Sequence, residues 1–229
     1  MQLLPKLRAR SVDLILCNLP YGATECRWDR RIDLAALWRQ YQRVLKPAGA
    51  AILFANARLA IALANAAPEG WFRYEMVWDK VSRSGWLNAR RRPMPVHEML
   101  LVFAPAMPRY FSQGLRPCPA KRRQGASEVY GEHYRCTGGR LTGYATTILR
   151  FPREAKAKTA VKPLALLDWI IRSYTRPGET VLDNAMGLGS TGIAAVRCGR
   201  LFIGMEIDQP KYREAARLIR QALSAEAAR

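Results

Sequence analysis

Apolar positions fall in short blocks along this chain, and the spacing inside each block changes from one block to the next. Val12-Asp13-Leu14-Ile15-Leu16-Cys17 is a nearly unbroken apolar run of strand length. It ends at Asn18-Leu19-Pro20-Tyr21-Gly22, where proline and glycine mark a loop. From Leu34 to Leu45 the spacing turns helical, with Leu34, Leu37, Trp38, Tyr41 and Leu45 on one face; Lys46-Pro47-Ala48-Gly49 is expected to stop that helix. Ala50 to Ala55 reads as a buried strand, Arg58 to Ala67 as a helix, and Tyr74–Trp78 and Met99–Phe103 as further strands. The order returns at Leu164, where Leu164, Leu167, Ile170 and Ile171 make a helical face closed by Arg176-Pro177-Gly178. A strand over Thr180–Asp183 follows, then a glycine turn at 187–192 opening a helix through Ala195, a strand over Leu201–Glu206, and a helix from Gln209 to the end.

Strand and helix alternate, which predicts an α/β fold with a doubly wound, mostly parallel sheet. A length of 229 residues suits a single domain of that kind. Residues 112–160 break the pattern: they are rich in Gly, Pro, Arg, Lys, Ser and Thr and show little periodicity. They are read as a basic insert between a first half, 1–111, and a second half, 161–229, and its Lys121-Arg122-Arg123 cluster would clamp phosphates beside a nucleic acid.

Composition narrows the function. Apolar residues make up 49% of the chain, which excludes global disorder. No apolar run is long enough to span a membrane, and Met1 to Leu7 lacks the features of a signal peptide, so a cytoplasmic location is expected. The formal net charge of +19 calls for a polyanionic partner, most simply nucleic acid. The five cysteines are Cys17, Cys26, Cys118, Cys136 and Cys198; their odd number and the lack of a Cys-x-x-Cys pair argue against a disulfide framework. Cys118, His133 and Cys136 lack a fourth ligand at useful spacing, so no metal is expected.

The second half carries a nucleotide-binding pattern of strand, glycine turn, helix, strand and terminal acid. Its glycines let a ligand approach the backbone at a helix N-terminus. The acid, Glu206, with Asp208 nearby, can accept both hydroxyls of a ribose. Gly-x-Gly alone fits an ordinary turn or a nicotinamide site equally well. The Asp183 that leads the turn points elsewhere.

Asp183-Asn184-Ala185-Met186-Gly187-Leu188-Gly189-Ser190-Thr191 resembles the Asp-Pro-Phe-x-Gly-x-Gly-Thr/Ser-Thr motif of S-adenosylmethionine-dependent DNA amino-methyltransferases, with Asn184 and Ala185 departing from Pro-Phe. Val161-Lys162-Pro163-Leu164 resembles the segment that lines the methionine end of that cofactor, although Lys158-Thr159 stands where the family often has His-Pro. Asn18-Leu19-Pro20-Tyr21 resembles the family's Asp/Asn/Ser-Pro-Pro-Tyr motif. Residue chemistry agrees with the likeness. An exocyclic amine on a base is a poor nucleophile, because its lone pair is delocalised into the ring. The Asn18 side-chain oxygen and the Pro20 carbonyl can accept its hydrogens and localise that pair, and Tyr21 can stack on a base flipped out of the duplex.

Further stretches agree with phage and prophage members: Gly22-Ala23-Thr24, Cys26, Trp28-Asp29, Trp78-Asp79-Lys80, Gly85-Trp86-Leu87-Asn88-Ala89 and His97-Glu98. The catalytic motif precedes the cofactor motif, which is the beta-class order. The resemblance implies a Rossmann-like methyltransferase fold, S-adenosyl-L-methionine as cofactor, double-stranded DNA as partner, a restriction-modification setting and a homodimer. The implied cofactor-binding residues are Lys162, Asp183, Asn184, Gly187, Gly189, Ser190, Thr191 and Glu206. Asn18 in the first motif position points to adenine N6, since cytosine-N4 enzymes usually carry serine there; cytosine N4 is the alternative. A cytosine-C5 enzyme is excluded, because the only Pro-Cys pair, Pro117-Cys118, lies in the polar insert. Arg83, Trp86, Asn88, Arg90, Arg91 and Arg92 are the expected DNA contacts; His97 is either a further contact or a core histidine bonded to Glu98. Family members also begin with a strand ending in Gly-Asp near the cofactor adenine, which this chain is expected to lack. Either the chain is truncated or the cofactor pocket is incomplete, and a catalytically weak, methyltransferase-like DNA-binding protein is a further alternative.

Overall fold

The nearly unbroken apolar pattern of the first strand becomes a strand buried on both faces. In the computed structural model, which describes residues 3–20, 32–117, 141–154 and 161–227, β1 spans Val12–Cys17 and every residue in it is buried. Such burial belongs to the centre of a parallel sheet covered on both sides. Helix α1 is Leu34–Val44, opened by the Asp33 side chain accepting from the Ala36 N–H at 3.0 Å. It is followed without a break by β2, Leu45–Ala55. Asn56 caps α2, Ala57–Ala66, in the same way. Next come β3, Phe72–Asp79, and β4, His97–Phe103.

Two compact units follow from the chain path. The smaller is Ser112–Thr146; its described part is an antiparallel ribbon of β5, Arg116–Pro117, and β6, Leu141–Thr142. The larger takes in the rest and continues with β7, Ile148–Arg150, α3, Leu164–Tyr174, β8, Thr180–Asp183, α4, Ser190–Arg197, β9, Leu201–Gly204, and α5, Gln209–Ala227.

The larger unit holds a seven-stranded sheet in the order β7-β3-β4-β2-β1-β8-β9. Every neighbouring pair is parallel except the two made by β4, so β4 alone runs backwards. This is the expected mostly parallel α/β sheet. Alternate side chains of β1 enter two cores. Ile15 and Cys17 pack with α1 and α2; Leu14 and Leu16 pack with α3 and α4. Among the described residues, no strand pairs with the outer edge of β9 and no helix is long and apolar enough to cross a membrane.

Two expectations change. Lys46-Pro47-Ala48-Gly49 does not separate helix from strand, because β2 already begins at Leu45. The register explains this: Val12 pairs with Leu45 but Leu14 pairs with Ala50, so Lys46–Gly49 bulge out of the ladder, where a proline costs no hydrogen bond. In the stretch read as aperiodic, Ile148–Arg150 adds an edge strand to the sheet beside β3.

Asp13 is the one charged residue inside β1 and is 1% exposed. Its carboxylate accepts from Lys46 Nζ at 2.7 Å, Arg109 Nη2 at 3.2 Å and the Thr180 N–H at 3.0 Å. It therefore ties together the starts of β1, β2 and β8. Asp13→Ala strands those donors. Urea denaturation should show a loss of about 2–3 kcal/mol, discounted from a fully buried pair because Lys46 and Arg109 are partly exposed. A loss under about 0.5 kcal/mol would mean that the clamp contributes nothing.

Candidate active site

Six strands point one way, so their C-terminal ends, together with the start of β4, line one edge of the sheet. Open α/β sheets bind ligands along that edge. Both sequence motifs lie there. Asn18 leaves the end of β1 half-buried, Leu19 turns into the core at 1% exposure, and Pro20 is half-buried. The Leu19 side chain thus anchors the motif in the core. Tyr21 and the Gly22–Asp29 segment lie outside the described residues, as do Cys26, Cys118, Lys121–Arg123, His133 and Cys136.

The register sets the two motifs side by side. Ile15 pairs with Leu182, so the next step along both strands brings Leu16 level with Asp183. Beyond Asp183 the chain turns through Gly187 and Gly189, with φ of 54° and 82°. Left-handed backbone of this kind suits glycine alone among common residues. Nothing lies within 4 Å of where a Gly187 Cβ would stand, so its backbone faces open space. Gly189 caps α4, and Ser190 and Thr191 form the first turn of that helix. The half-buried Glu206 reaches back to this turn from beyond β9. One of its oxygens accepts the Gly187 N–H and the other the Asp208 N–H, both at 2.9 Å. Each oxygen keeps a second lone pair. Open glycine backbone and a carboxylate facing it fit a nucleoside with a ribose diol.

Asp183 is 3% exposed and shapes this turn from within. Its carboxylate accepts from the Ala185 N–H at 3.0 Å, from the Thr191 hydroxyl and from the Cys17 thiol. Burial pushes its carboxyl up to about 6, against those three hydrogen bonds, and the Glu206 charge adds to the rise. The Cys17 thiol is itself pushed up, first by burial and then by the Asp183 charge. Next to it, the buried Tyr41 hydroxyl donates to Asn184 Oδ1 at 2.6 Å. Burial, then Cys17 and Asp183, raise the Tyr41 phenol. Sequence reasoning put Tyr41 on a buried face and Cys17 in a strand, but gave neither a partner. Only the pairing of β1 with β8 brings them to the cofactor motif.

A second cluster was also missed. Lys162 donates to Glu98, and Lys80 lies 3.5 Å from the same carboxylate. Both lysines are buried, at 7% and 6% exposure. Lys162 stands 4.7 Å from the centre of the Phe54 ring and 5.4 Å from that of Trp78. Burial holds its ammonium below the usual range, against the pull of Glu98. Lys80 and Glu98 were visible as parts of matching segments, but no sequence signal joins three such distant residues.

The expected DNA contacts gather on one loop. Arg83, Trp86, Asn88, Arg90, Arg91 and Arg92 are all exposed between β3 and β4, on the edge that carries Asn18. His97 is exposed at the first position of β4 and is not a core histidine. Cys17 and Cys198 are buried free thiols, and no metal-holding cluster occurs among the described residues.

Comparison with known proteins gives a consistent result. The N6/N4 methylase family model, described as DNA methylase, matches residues 12–217. The Type II methyltransferase M1.MboII of Moraxella bovis is 26% identical over 95% of this chain and 93% of its own length. The Type II methyltransferase M.HinfI of Haemophilus influenzae is 24% identical over 90% of this chain, which spans 62% of that relative. The crystal structure of the M1.HpyAVI–SAM complex superposes with a TM-score of 0.64 at 20% identity, covering 95% of this chain and 94% of the other.

The raised Asp183 carboxyl has a consequence for stability. An unfolded aspartate ionises near 3.8, whereas in the fold this one ionises near about 6. Between those values the folded chain holds the extra proton, so this group's contribution falls as pH rises from 4 through 6 and is level above. The two-unit gap corresponds to about 3 kcal/mol. Asp183→Asn should remove that slope. Urea denaturation of both proteins at pH 4.5 and 7.5 measures it, and parallel profiles would rule the assignment out.

Proposed function

We propose an activity from one premise: this chain belongs to the N6/N4 DNA methylase family. It transfers a methyl group from S-adenosyl-L-methionine to the N6 amine of adenine in double-stranded DNA. The observation that carries this reading is the parallel pairing of β1 with β8, which sets the strand leading into Asn18 beside the strand leading into the glycine turn.

S-adenosyl-L-methionine is the methyl donor, and when bound it supplies an electrophilic sulfonium methyl. Gly187, Gly189, Ser190 and Thr191 offer the turn and helix start that hold it, and Glu206 takes the ribose hydroxyls with its remaining lone pairs. Lys162, beside Glu98, serves the methionine end. Asp183 and Asn184 act one layer below, fixing the turn through Thr191, Ala185 and Tyr41. The Asn18 oxygen and the Pro20 carbonyl accept the two hydrogens of the target amine, so its lone pair points along the transfer axis. Tyr21 stacks on the flipped base, an interaction worth about 1–3 kcal/mol that offsets part of the cost of unstacking. After transfer the amine loses one proton to solvent. No covalent bond to the protein forms.

The choice of adenine rests on Asn18, since the family name covers both bases. The exposed arginines and the +19 charge support a DNA partner. Association into a homodimer and a place in a restriction-modification system are carried by resemblance alone.

Incubating the protein with unmethylated DNA and tritiated donor should label the DNA, and nucleoside mass spectrometry should identify N6-methyladenine. N4-methylcytosine would reassign the base, and absence of label with saturating donor would overturn the activity. Asn18→Ala should cut transfer by about 100-fold or more, the scale of one lost charge-stabilising contact. Its affinity for S-adenosylhomocysteine should stay within about twofold, a margin below 0.5 kcal/mol. Full turnover in Asn18→Ala would remove Asn18 from the site.

A further inference from the structure

The loop between β3 and β4, residues 80–96, carries Lys80, Arg83, Arg90, Arg91 and Arg92 and no acidic residue. At its tip two large apolar side chains stand next to each other in solvent: Trp86 is 75% exposed and Leu87 is 77% exposed. Single exposed apolar residues are ordinary, but an adjacent pair at the end of a positively charged projection is not.

The tip is built. Gly85, with φ of 73°, starts a 3₁₀ turn over Trp86–Asn88. The Asn88 and Ala89 N–H groups donate to Gly85 and Trp86 carbonyls, both at 3.0 Å, and those of Arg91 and Arg92 donate to the Asn88 carbonyl. The base is pinned by Lys80 N–H to the Val96 carbonyl at 2.8 Å and Ser84 N–H to the Pro95 carbonyl at 3.0 Å. Val81, a β-branched residue, is held at φ 62°, its N–H donating to Asp79 Oδ1 at 2.8 Å. Strain of this kind persists where surrounding bonds over-determine the backbone and is enriched at functional segments.

We propose that Trp86 and Leu87 form a wedge that enters the base stack of duplex DNA at the place vacated by the flipped target base. This rests on the DNA methyltransferase reading above and adds to it the element that opens the duplex. The charge favours DNA over a second copy of the chain, since two such loops would bring like charges together. Arg83, Arg90, Arg91 and Arg92 flank the wedge and meet phosphates, which fixes depth and register without reading bases. Apolar side chains inserted between base steps unstack and kink DNA in this manner. The loop rises from the edge that bears Asn18, three strand spacings away through β4 and β2, about 14 Å along the sheet.

The test uses the whole protein and two short duplexes of one sequence, one intact and one with a single abasic site, which presents the hole the wedge should fill. Wild type should bind the abasic duplex about tenfold more tightly, the scale of one base–aromatic stack. Trp86→Ala/Leu87→Ala should bind both equally, Trp86→Phe should keep the preference, and all three should bind S-adenosylhomocysteine alike, which controls for folding. If the double variant loses affinity equally for both duplexes and keeps the preference, the wedge is wrong while DNA binding stands. If wild type binds neither duplex, the DNA reading falls and the wedge with it. A tip needed for self-association, or for binding phosphatidylserine vesicles, without an abasic preference would equally overturn it.

Discussion

The pairing of β1 with β8 is the constraint on which the site depends. These strands lie far apart in the chain; Asp13 and Thr180 are 167 residues apart and hydrogen-bonded. Closing a segment that long is entropically costly, though the cost grows only as the logarithm of its length. It is met at both ends of the pair. Asp13 gathers Lys46, Arg109 and Thr180 at the lower edge, and Cys17 donates to Asp183 at the upper edge. Between them Leu14, Leu16, Val181 and the inward faces of α3 and α4 fill one core. A slip of one residue would turn every β1 side chain to the opposite face. It would also take the Cys17 thiol from Asp183 and move Asn18 away from the glycine turn. The two sequence motifs are therefore one structure, joined by register.

Positive charge is used in two different ways. The arginines of the β3–β4 loop are exposed, where screening is strong and any pairing with a polyanion depends on salt. Lys80 and Lys162 are buried and share the Glu98 carboxylate beneath Phe54 and Trp78. Two cations around one carboxylate leave a local excess of positive charge that is shielded from solvent. A single net charge of +19 thus contains one population exposed on a loop and another buried within the fold.

Much of this was legible from residue order. The nearly unbroken apolar run of β1, the turn after it and the glycine turn after β8 report locally determined structure, so period and turn chemistry were sufficient. Lys46–Gly49 follows the end of α1 as its Lys-Pro-Ala-Gly string suggests, but only the partner strand reveals that it bulges within β2. Ile148–Arg150 was invisible for a different reason. Three residues with two exposed carry no periodicity, and their strand character comes entirely from pairing with β3. Glu98 could be noticed but not placed, because its partners Lys80 and Lys162 are brought by two other segments. His97 reads as a candidate core residue by type, yet it begins an antiparallel strand with its side chain in solvent.

Asn184 and Ala185 show how a departure from a motif can preserve its geometry. A proline following the leading acid would fix the backbone through its ring. Asparagine has no such restriction, and here its side chain is fastened by the Tyr41 hydroxyl from α1 at 2.6 Å. The next N–H, that of Ala185, is held by Asp183 at 3.0 Å, and the Met186 N–H by the Met205 carbonyl at 3.0 Å. Three consecutive residues are thus positioned by α1, by the end of β8 and by the residue just past β9. The stiffness that a ring would supply locally is supplied by tertiary contacts, and the cofactor turn becomes dependent on the packing of α1 against the sheet. Tyr41 is fully buried, so its hydroxyl has a desolvation cost that Asn184 relieves. Each residue of the pair therefore explains the other: an asparagine at this turn needs a buried donor, and a tyrosine hydroxyl at this depth needs an acceptor.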